Sequence, residues 1–518
     1  MQNESRTLKS VKNVQVSMLY YVIQLILGFW SRKVFLDYLG VEILGLDTTA
    51  SNLFGFLNLA ELGVGMAVTY FLYKPLNIND YETINKIVSL QGWIYRRVAS
   101  VIIVGACVLM AFFPQIFSDT NLPLWYAYAT FCVMLFSSML GYFINYKSIV
   151  LNTDQKGYKV TITTQGFGIF IKILQIILFP IVSHPFIFYL ATTVISTIFG
   201  CLWLKHVIKK EYPWLQTQSY DGKTLLKEFP DIIKKTRQVF IHKLTTAILF
   251  RGTPLIIYAF STLSIVGSYG NYLTIISRLQ QVIEMMFSSM GAAIGSLIAT
   301  GDKQRIISVF WELYDSRFCI SAIALTCVFF LAHPFIALWI GEQYILGRLF
   351  LSIILVDTFI KLTRLTVDHY INGYGLFQDV WAPAVEGCLN IGGAIGFGIL
   401  FGFKGVLLGS IMSQFLIILL WKPFMLFRRG LFIKPSMYFL PVLYRHLLLF
   451  LHIFLLSFLF DKILPIAFEN YAECFFYSSI VLLIVSVSTF AEFYLFSQGI
   501  RDFVKRLYSL AQGRYNNK

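Results

Sequence analysis

Asp357, Lys361, Arg364 and Asp368 recur at i, i+4, i+7 and i+11 in an otherwise apolar stretch. At ~100° per residue they fall within about 60° of one another on a helix. A second set, Asp379, Pro383, Glu386 and Asn390, repeats the spacing after a Gly-containing break. An isolated charge at bilayer depth costs roughly 2.5–3.5 kcal/mol, so such residues face protein or a water-filled path. They either pair with one another or hold charged cargo and coupling ions. Lys361 and Arg364 each have an Asp one turn away on their own face, so self-pairing is their expected use. The candidate ion-coupling acids, for H+ or Na+, are Glu61, Glu386, Asp357 and Asp368.

The cations of the other apolar stretches outnumber their acids. Unpaired Arg suits an anion, because guanidinium donors match phosphate oxygens bidentately. One segment concentrates this signal: Asn271, Thr274, Arg278, Gln281 and Ser288 fall on an arc about 100° wide. The candidate substrate-binding residues are Arg278, Arg32, Arg251, Lys172, Asn271 and Gln281. The group they would neutralise is a phosphate or pyrophosphate.

The elements that position these residues follow from composition. The chain has 518 residues, 57% hydrophobic and 13% charged, with mean hydropathy +0.69. Soluble domains carry about 25% charged residues. Continuous apolar runs of about 20 residues recur along the whole length, without the alternation of an outer-membrane barrel. The expected class is an all-α polytopic membrane protein with about 14 transmembrane helices, from a first span near 14–38 to a last near 473–497. The formal net charge of +15 is explained by topology rather than by nucleic acid. About 30 of the 42 Lys and Arg lie in one alternate set of loops and in the two tails, which places both termini in the cytoplasm. The N-terminal apolar run reads as a retained first helix, without a cleavage site.

An internal repeat is visible. The segments beginning at Tyr81 and Lys303 align Tyr95–Arg96 with Ser316–Arg317 and Pro114 with Pro334 at an offset of about 220, and Gly45 and Gly267 share that offset. An offset of six spans preserves orientation, so the expected architecture is two six-helix bundles as parallel repeats around a central cleft. The expected divisions are an N-terminal bundle over 1–205 and a basic cytoplasmic linker over 206–237. A C-terminal bundle over 238–430, two additional helices over 431–500 and a basic tail over 501–518 follow.

Three motifs resemble those of Wzx-type polysaccharide flippases. GLFQDVWAPAVEGCLNIGGAIGFGILFGFKGVLLGSIMS (Gly375–Ser413) is similar to their tenth-to-twelfth-helix region. FLDYLGVEILGLDTTASNLFGFLNLAELGVGMAVTYFLYKPL (Phe35–Leu76) is similar to the first two helices, and GSYGNYLTII (Gly267–Ile276) to the start of the eighth. The resemblance covers most of residues 10–430 and implies the multidrug/oligosaccharidyl-lipid/polysaccharide exporter superfamily. It implies two lobes and the flipping of an undecaprenyl-pyrophosphate-linked oligosaccharide from the cytoplasmic to the outer leaflet of a bacterial inner membrane. It also implies polysaccharide polymerase or glycosyltransferase partners. Arg251 stands where that family often has an acid.

The main rival is a cation-coupled multidrug antiporter of the same superfamily, whose site should be acidic rather than cationic. No enzyme is expected. The outside loops are too short to carry a catalytic domain. The seven His and seven Cys form no metal-ligand spacing. Asp221-Gly222-Lys223-Thr224 lacks the upstream Gly of a phosphate cradle. No cofactor and no metal are expected.

Overall fold

A computed structural model of the chain describes residues 6–58, 63–217, 222–287, 290–376, 379, 381–464 and 468–515. Most of those residues are helical, with no strand among them. Hydrocarbon offers no partner for a backbone N–H or C=O, and a helix satisfies both within one segment. Each expected span coincides with helix. Among the described residues, ten helices are long and apolar enough to cross a membrane by length and composition. The chain forms two compact units, Met1–Gly267 and Ser268–Lys518.

In the first unit, α1 (Arg6–Leu57) is one helix by hydrogen bonding but two limbs by direction. Gly40 sits at φ 80°, ψ 171° and breaks it. The first two expected spans are therefore joined without a loop. The second continues as α2 (Val64–Ile78), which starts at Gly63 with φ 100°. Asp80 caps α3 (Tyr81–Ala111), its side chain accepting from the Thr83 N–H at 3.1 Å. The short α4 (Phe113–Ile116) and α5 (Trp125–Phe143) follow, then α6 (Ser148–Thr153), α7 (Gly157–Leu178) and α8 (Pro185–Glu211). Next are α9 (Gly222–Glu228) and α10 (Pro230–Ala259). The core gathers Leu72, Val88, Phe113 and Phe131 from four of these helices.

The division at Gly267 lies beyond the stretch 206–237, where the sequence suggested a linker. The helix α10, expected with the second bundle, packs on α1 and α2 in the first unit. Its Tyr258 hydroxyl also donates to the Ile116 carbonyl at 2.8 Å.

The two glycines that share the repeat offset stand at one close crossing. A Cβ on Gly45 would overlap the Leu263 carbonyl, and one on Gly267 would lie 2.7 Å from the Val41 carbonyl oxygen. Leu263 and Val41 are separated by the same offset as the glycines. Both obstructing atoms are backbone and cannot turn aside. Gly45→Ala is expected to cost about 3 kcal/mol or more. The check is a drop in melting temperature and in monodisperse yield, and an unchanged Gly45→Ala protein would refute the crossing.

The second unit begins within α11 (Leu263–Met286) and continues through α12 (Met290–Ala299) and α13 (Lys303–Ile340). The helices α14 (Arg348–Gly373), α15 (Trp381–Phe401) and α16 (Phe403–Gln414) follow. The last runs on through π-helical turns and α17 (Lys422–Met425) to Gly430. The Gly-rich α15–α16 pair is very close. A Cβ on Gly409 would overlap the Ala394 nitrogen, and one on Gly405 the Phe397 carbonyl. Small residues allow this approach, which in lipid replaces the hydrophobic driving force between helices.

Beyond them lie α18 (Ser436–Phe458), α19 (Tyr471–Phe496) and α20 (Gln498–Tyr515). The aromatic core of Phe310, Tyr314, Tyr370, Phe427 and Tyr438 is built around α13. Against α13 also pack α19 and α20. The stretch expected as a basic tail is helical as far as Tyr515, and its Arg506 lies 2.8 Å from the buried Glu312.

Candidate functional site

The helix α14 carries its four charges on one face, as the spacing requires, and that face meets α15, α16 and α17. Lys361 Nζ lies 2.6 Å from Asp357 Oδ2. The other Asp357 oxygen accepts from Ser410 Oγ at 2.6 Å and from Gln414 Nε2 at 2.5 Å. One turn on, Arg364 Nε donates to Asp368 Oδ2 at 2.9 Å, and Lys422 Nζ donates to Asp368 Oδ1 at 2.8 Å. Arg364 Nη1 also stands 3.7 Å from Glu386 Oε1 on α15. Asn390, one turn past Glu386, donates to Ser413 Oγ at 3.4 Å.

The spacing therefore translates into i, i+4 ion pairs on α14, and Glu386 and Asn390 are drawn toward the same neighbours. Asp357, Asp368 and Glu386 face Lys361, Arg364 and Lys422, so the network is balanced in formal charge. Asp379, the first member of the second set, is instead bound by Trp421 Nε1 at 2.8 Å and Arg429 Nη1 at 3.4 Å. It lies before α15 begins, so it does not continue that helix's stripe.

Arg317 joins this region from α13. It is buried, its guanidinium lies 4.4 Å from the Phe287 ring centroid, and it interacts electrostatically with Glu284 and Asp368. The sequence reading used Arg317 only as a landmark of the repeat. Lys422, Ser410 and Gln414 were not singled out either. Lys422 belonged to a basic loop by sequence, and only the unbroken helix past Trp421 brings it to Asp368.

In the first unit the expectation of an unpaired Arg32 is corrected. Arg32, on the first limb of α1, interacts electrostatically with Asp47 on the second limb and with Tyr189 on α8. The Tyr189 hydroxyl donates to Asp47 Oδ1 at 3.0 Å, and its ring meets Phe35 edge-on at 5.2 Å. Asp47 is a site residue that the sequence reading passed over. The available signal was a lone acid within an apolar run. The turn at Gly40 is what changes its direction relative to Arg32.

The other expected substrate residues lie in different environments. On α11, Asn271 is buried, Arg278 half-buried and Gln281 exposed. The polar arc of that helix thus runs from packed protein to an open surface. Lys172 is half-buried on α7. Arg251 is on α10, but its side chain lies outside the described residues, as does all of Glu61. The arrangement offers half-buried cations on α1, α7 and α11. It offers a self-satisfied charge network on α14–α17.

No protein-family model matches the chain, and no curated protein sequence does. Several solved structures are similar to this chain, and two of them follow. One is a lipid II flippase, MurJ, in an inward closed conformation, with TM-score 0.64 and 17% identity, covering 94% of this chain and 100% of that one. The other is an inward-facing multidrug resistance MATE family transporter of the MOP superfamily. It has TM-score 0.56 and 15% identity, covering 80% of this chain and 97% of that one. At these identities the likeness is one of fold.

Proposed function

We propose that this chain is a flippase of the MOP type. It moves an undecaprenyl-pyrophosphate-linked oligosaccharide from the cytoplasmic to the outer leaflet by alternating access. The observation that carries this reading is the fold shared with a lipid II flippase over nearly the whole chain. The cationic residues support the choice of an anionic cargo. Arg278 and Arg32 are held at partial exposure on helices α11 and α1, where guanidinium groups bind a diphosphate bidentately. Arg251, Lys172, Asn271 and Gln281 are the other residues proposed to contact the cargo. The acids of α14 and α15 are paired, so protons or Na+ would couple by displacing a partner cation rather than by filling an empty site.

The protein would sit in a bacterial cytoplasmic membrane with both termini inside, beside the enzymes that build and polymerise the glycan. The cell interior is negative, so an outward-moving anion gains about 2.3 kcal/mol per charge per 100 mV. A diphosphate diester carries about two charges, which gives the transport its direction without a coupling ion.

The test is leaflet exchange in proteoliposomes under an imposed potential. An undecaprenyl-pyrophosphate-linked oligosaccharide is loaded, and its accessibility to an externally added glycan-modifying enzyme is followed. Exchange should depend on the potential. Arg278→Ala and Arg32→Ala should each slow it about tenfold, the loss of one charge-assisted contact. Wild-type rates in Arg278→Ala would remove that residue from the cargo site. Absence of exchange, together with uptake of a cationic dye against a proton or Na+ gradient, would replace the flippase with the drug antiporter.

A further inference from the structure

Several loop cations of the first unit are neutralised by acids. Lys86 bridges Glu82 and Glu228, Lys156 bridges Asp154 and Glu211, and Lys159 pairs with Glu211. Three other cations converge on one place without an acid. Arg96 on α3, Lys147 in the turn after α5, and Lys205 on α8 have no carboxylate within ion-pair distance among the described residues. All three line one cavity of about 340 Å³, with Tyr146 and Thr217 beside them and no acid in the lining.

The cavity is built rather than incidental. The Tyr146 ring lies so close to α3 that a Cβ on Gly92 would come within 2.8 Å of it. Its hydroxyl is 2.9 Å from Thr217 Oγ1, which ties the turn to the segment after α8. That pair uses one of its two hydroxyl protons and leaves the other to offer. Lys147 sits near its own tyrosine ring at 5.9 Å. Burial, with the neighbouring Lys205 charge, holds its ammonium below the usual lysine value. Three cations and a hydroxyl donor converging without an acid form a receptor for a multiply charged oxyanion.

The surroundings identify what carries the oxyanion. Phe143 in the cavity wall is 48% exposed, and Phe136, two turns back on the same face of α5, is 42% exposed. Ile103, two turns beyond Arg96 on α3, is 38% exposed. An apolar exposed stripe therefore leaves the cationic mouth along two membrane helices. All three cations belong to segments that the charge bias assigns to the cytoplasmic face.

We infer that this cavity binds the phosphate or diphosphate headgroup of a lipid in the cytoplasmic leaflet, with the chain lying along the Phe136–Phe143 stripe. Two lipids carry that chemistry, a polyprenyl-diphosphate-linked cargo and an anionic phospholipid. The site lies within the first unit, apart from Arg278, and does not rest on the flipping reaction. A chain that failed to flip could still bind here.

The experiment uses the full chain in phosphatidylcholine nanodiscs. Geranylgeranyl diphosphate, phosphatidylglycerol and sodium pyrophosphate are each titrated against wild type, R96Q/K147Q/K205Q and Lys209→Gln. Each lost charge near a membrane surface weakens an anion about fivefold, so the triple variant should bind a lipid anion on the order of 100-fold more weakly. Lys209→Gln, at an exposed lysine of α8 outside the cavity lining, should retain this binding. Selective loss of geranylgeranyl diphosphate marks a cargo site, and selective loss of phosphatidylglycerol marks a bulk-lipid site. Unchanged affinity of the triple variant for both lipids overturns the inference. Pyrophosphate binding as tightly as the lipids overturns the assignment to a lipid. If the triple variant melts early, Lys205→Gln alone, at an exposed position, should still show about a fivefold loss.

Discussion

Asp315→Ala lowers the stability of the second unit by about 3–5 kcal/mol, the range for removing one partner of a buried ion pair. The Asp315 side chain is fully buried on α13. Arg445 on α18 approaches it through Nε at 2.7 Å and Nη2 at 2.8 Å, and the Ser497 hydroxyl donates to it from the α19–α20 junction. The Arg445 guanidinium also lies 4.6 Å from the Trp311 ring centroid. One carboxylate thus holds three C-terminal helices to the core helix. Its removal leaves a guanidinium 12% exposed with no counter-charge.

The expected observation is a lower melting temperature and faster protease cleavage near residues 431–435, the connection into α18. Arg445→Lys should fall between, because an ammonium loses the fork and the ring contact but keeps the charge. The pair D315L/R445M should recover most of the loss, since a buried pair replaced by apolar residues is often neutral. Wild-type protease resistance in Asp315→Ala would show that these helices are held by apolar packing alone.

Asp357→Ala is the second large effect, about 3 kcal/mol and a fall on the order of 10 °C in melting temperature. It leaves the Lys361 ammonium without its partner and removes the acceptor of Ser410 and Gln414. The estimate sits at the low end because the Lys361 side chain is 30% exposed and can be hydrated. The pair D357L/K361M should melt close to wild type, and equal losses in single and double variants would argue against the pair. The same residues test coupling. If the pair is structural, D357N/K361Q keeps potential-driven exchange. If Asp357 carries a proton or Na+, that variant loses it while remaining folded.

Much of the local chemistry was legible before any folding. The four charges of α14 pair as their spacing implies, because i and i+4 are neighbours on any helix whatever surrounds it. The Gly45–Gly267 offset was also legible, although nothing in it said that the glycines stand at one crossing. Less legible was the fate of polar residues on a single stripe. Asn271, Arg278 and Gln281 share an arc on α11 yet span buried, half-buried and exposed positions. An arc of one helix carries no record of where its neighbours stop.

Composition and residue spacing alone establish that the chain is an array of membrane helices and which charges share one face. These are consequences of backbone hydrogen bonding in hydrocarbon and of helix periodicity, both local. Only the tertiary structure decided that Asp47 meets Tyr189, that Asp315 meets Arg445, that Lys422 reaches Asp368 and that α10 packs with α1 and α2. Those pairings join residues far apart in the chain. They are set by which helix faces fit closely enough to exclude lipid, a property of whole surfaces that no single segment carries.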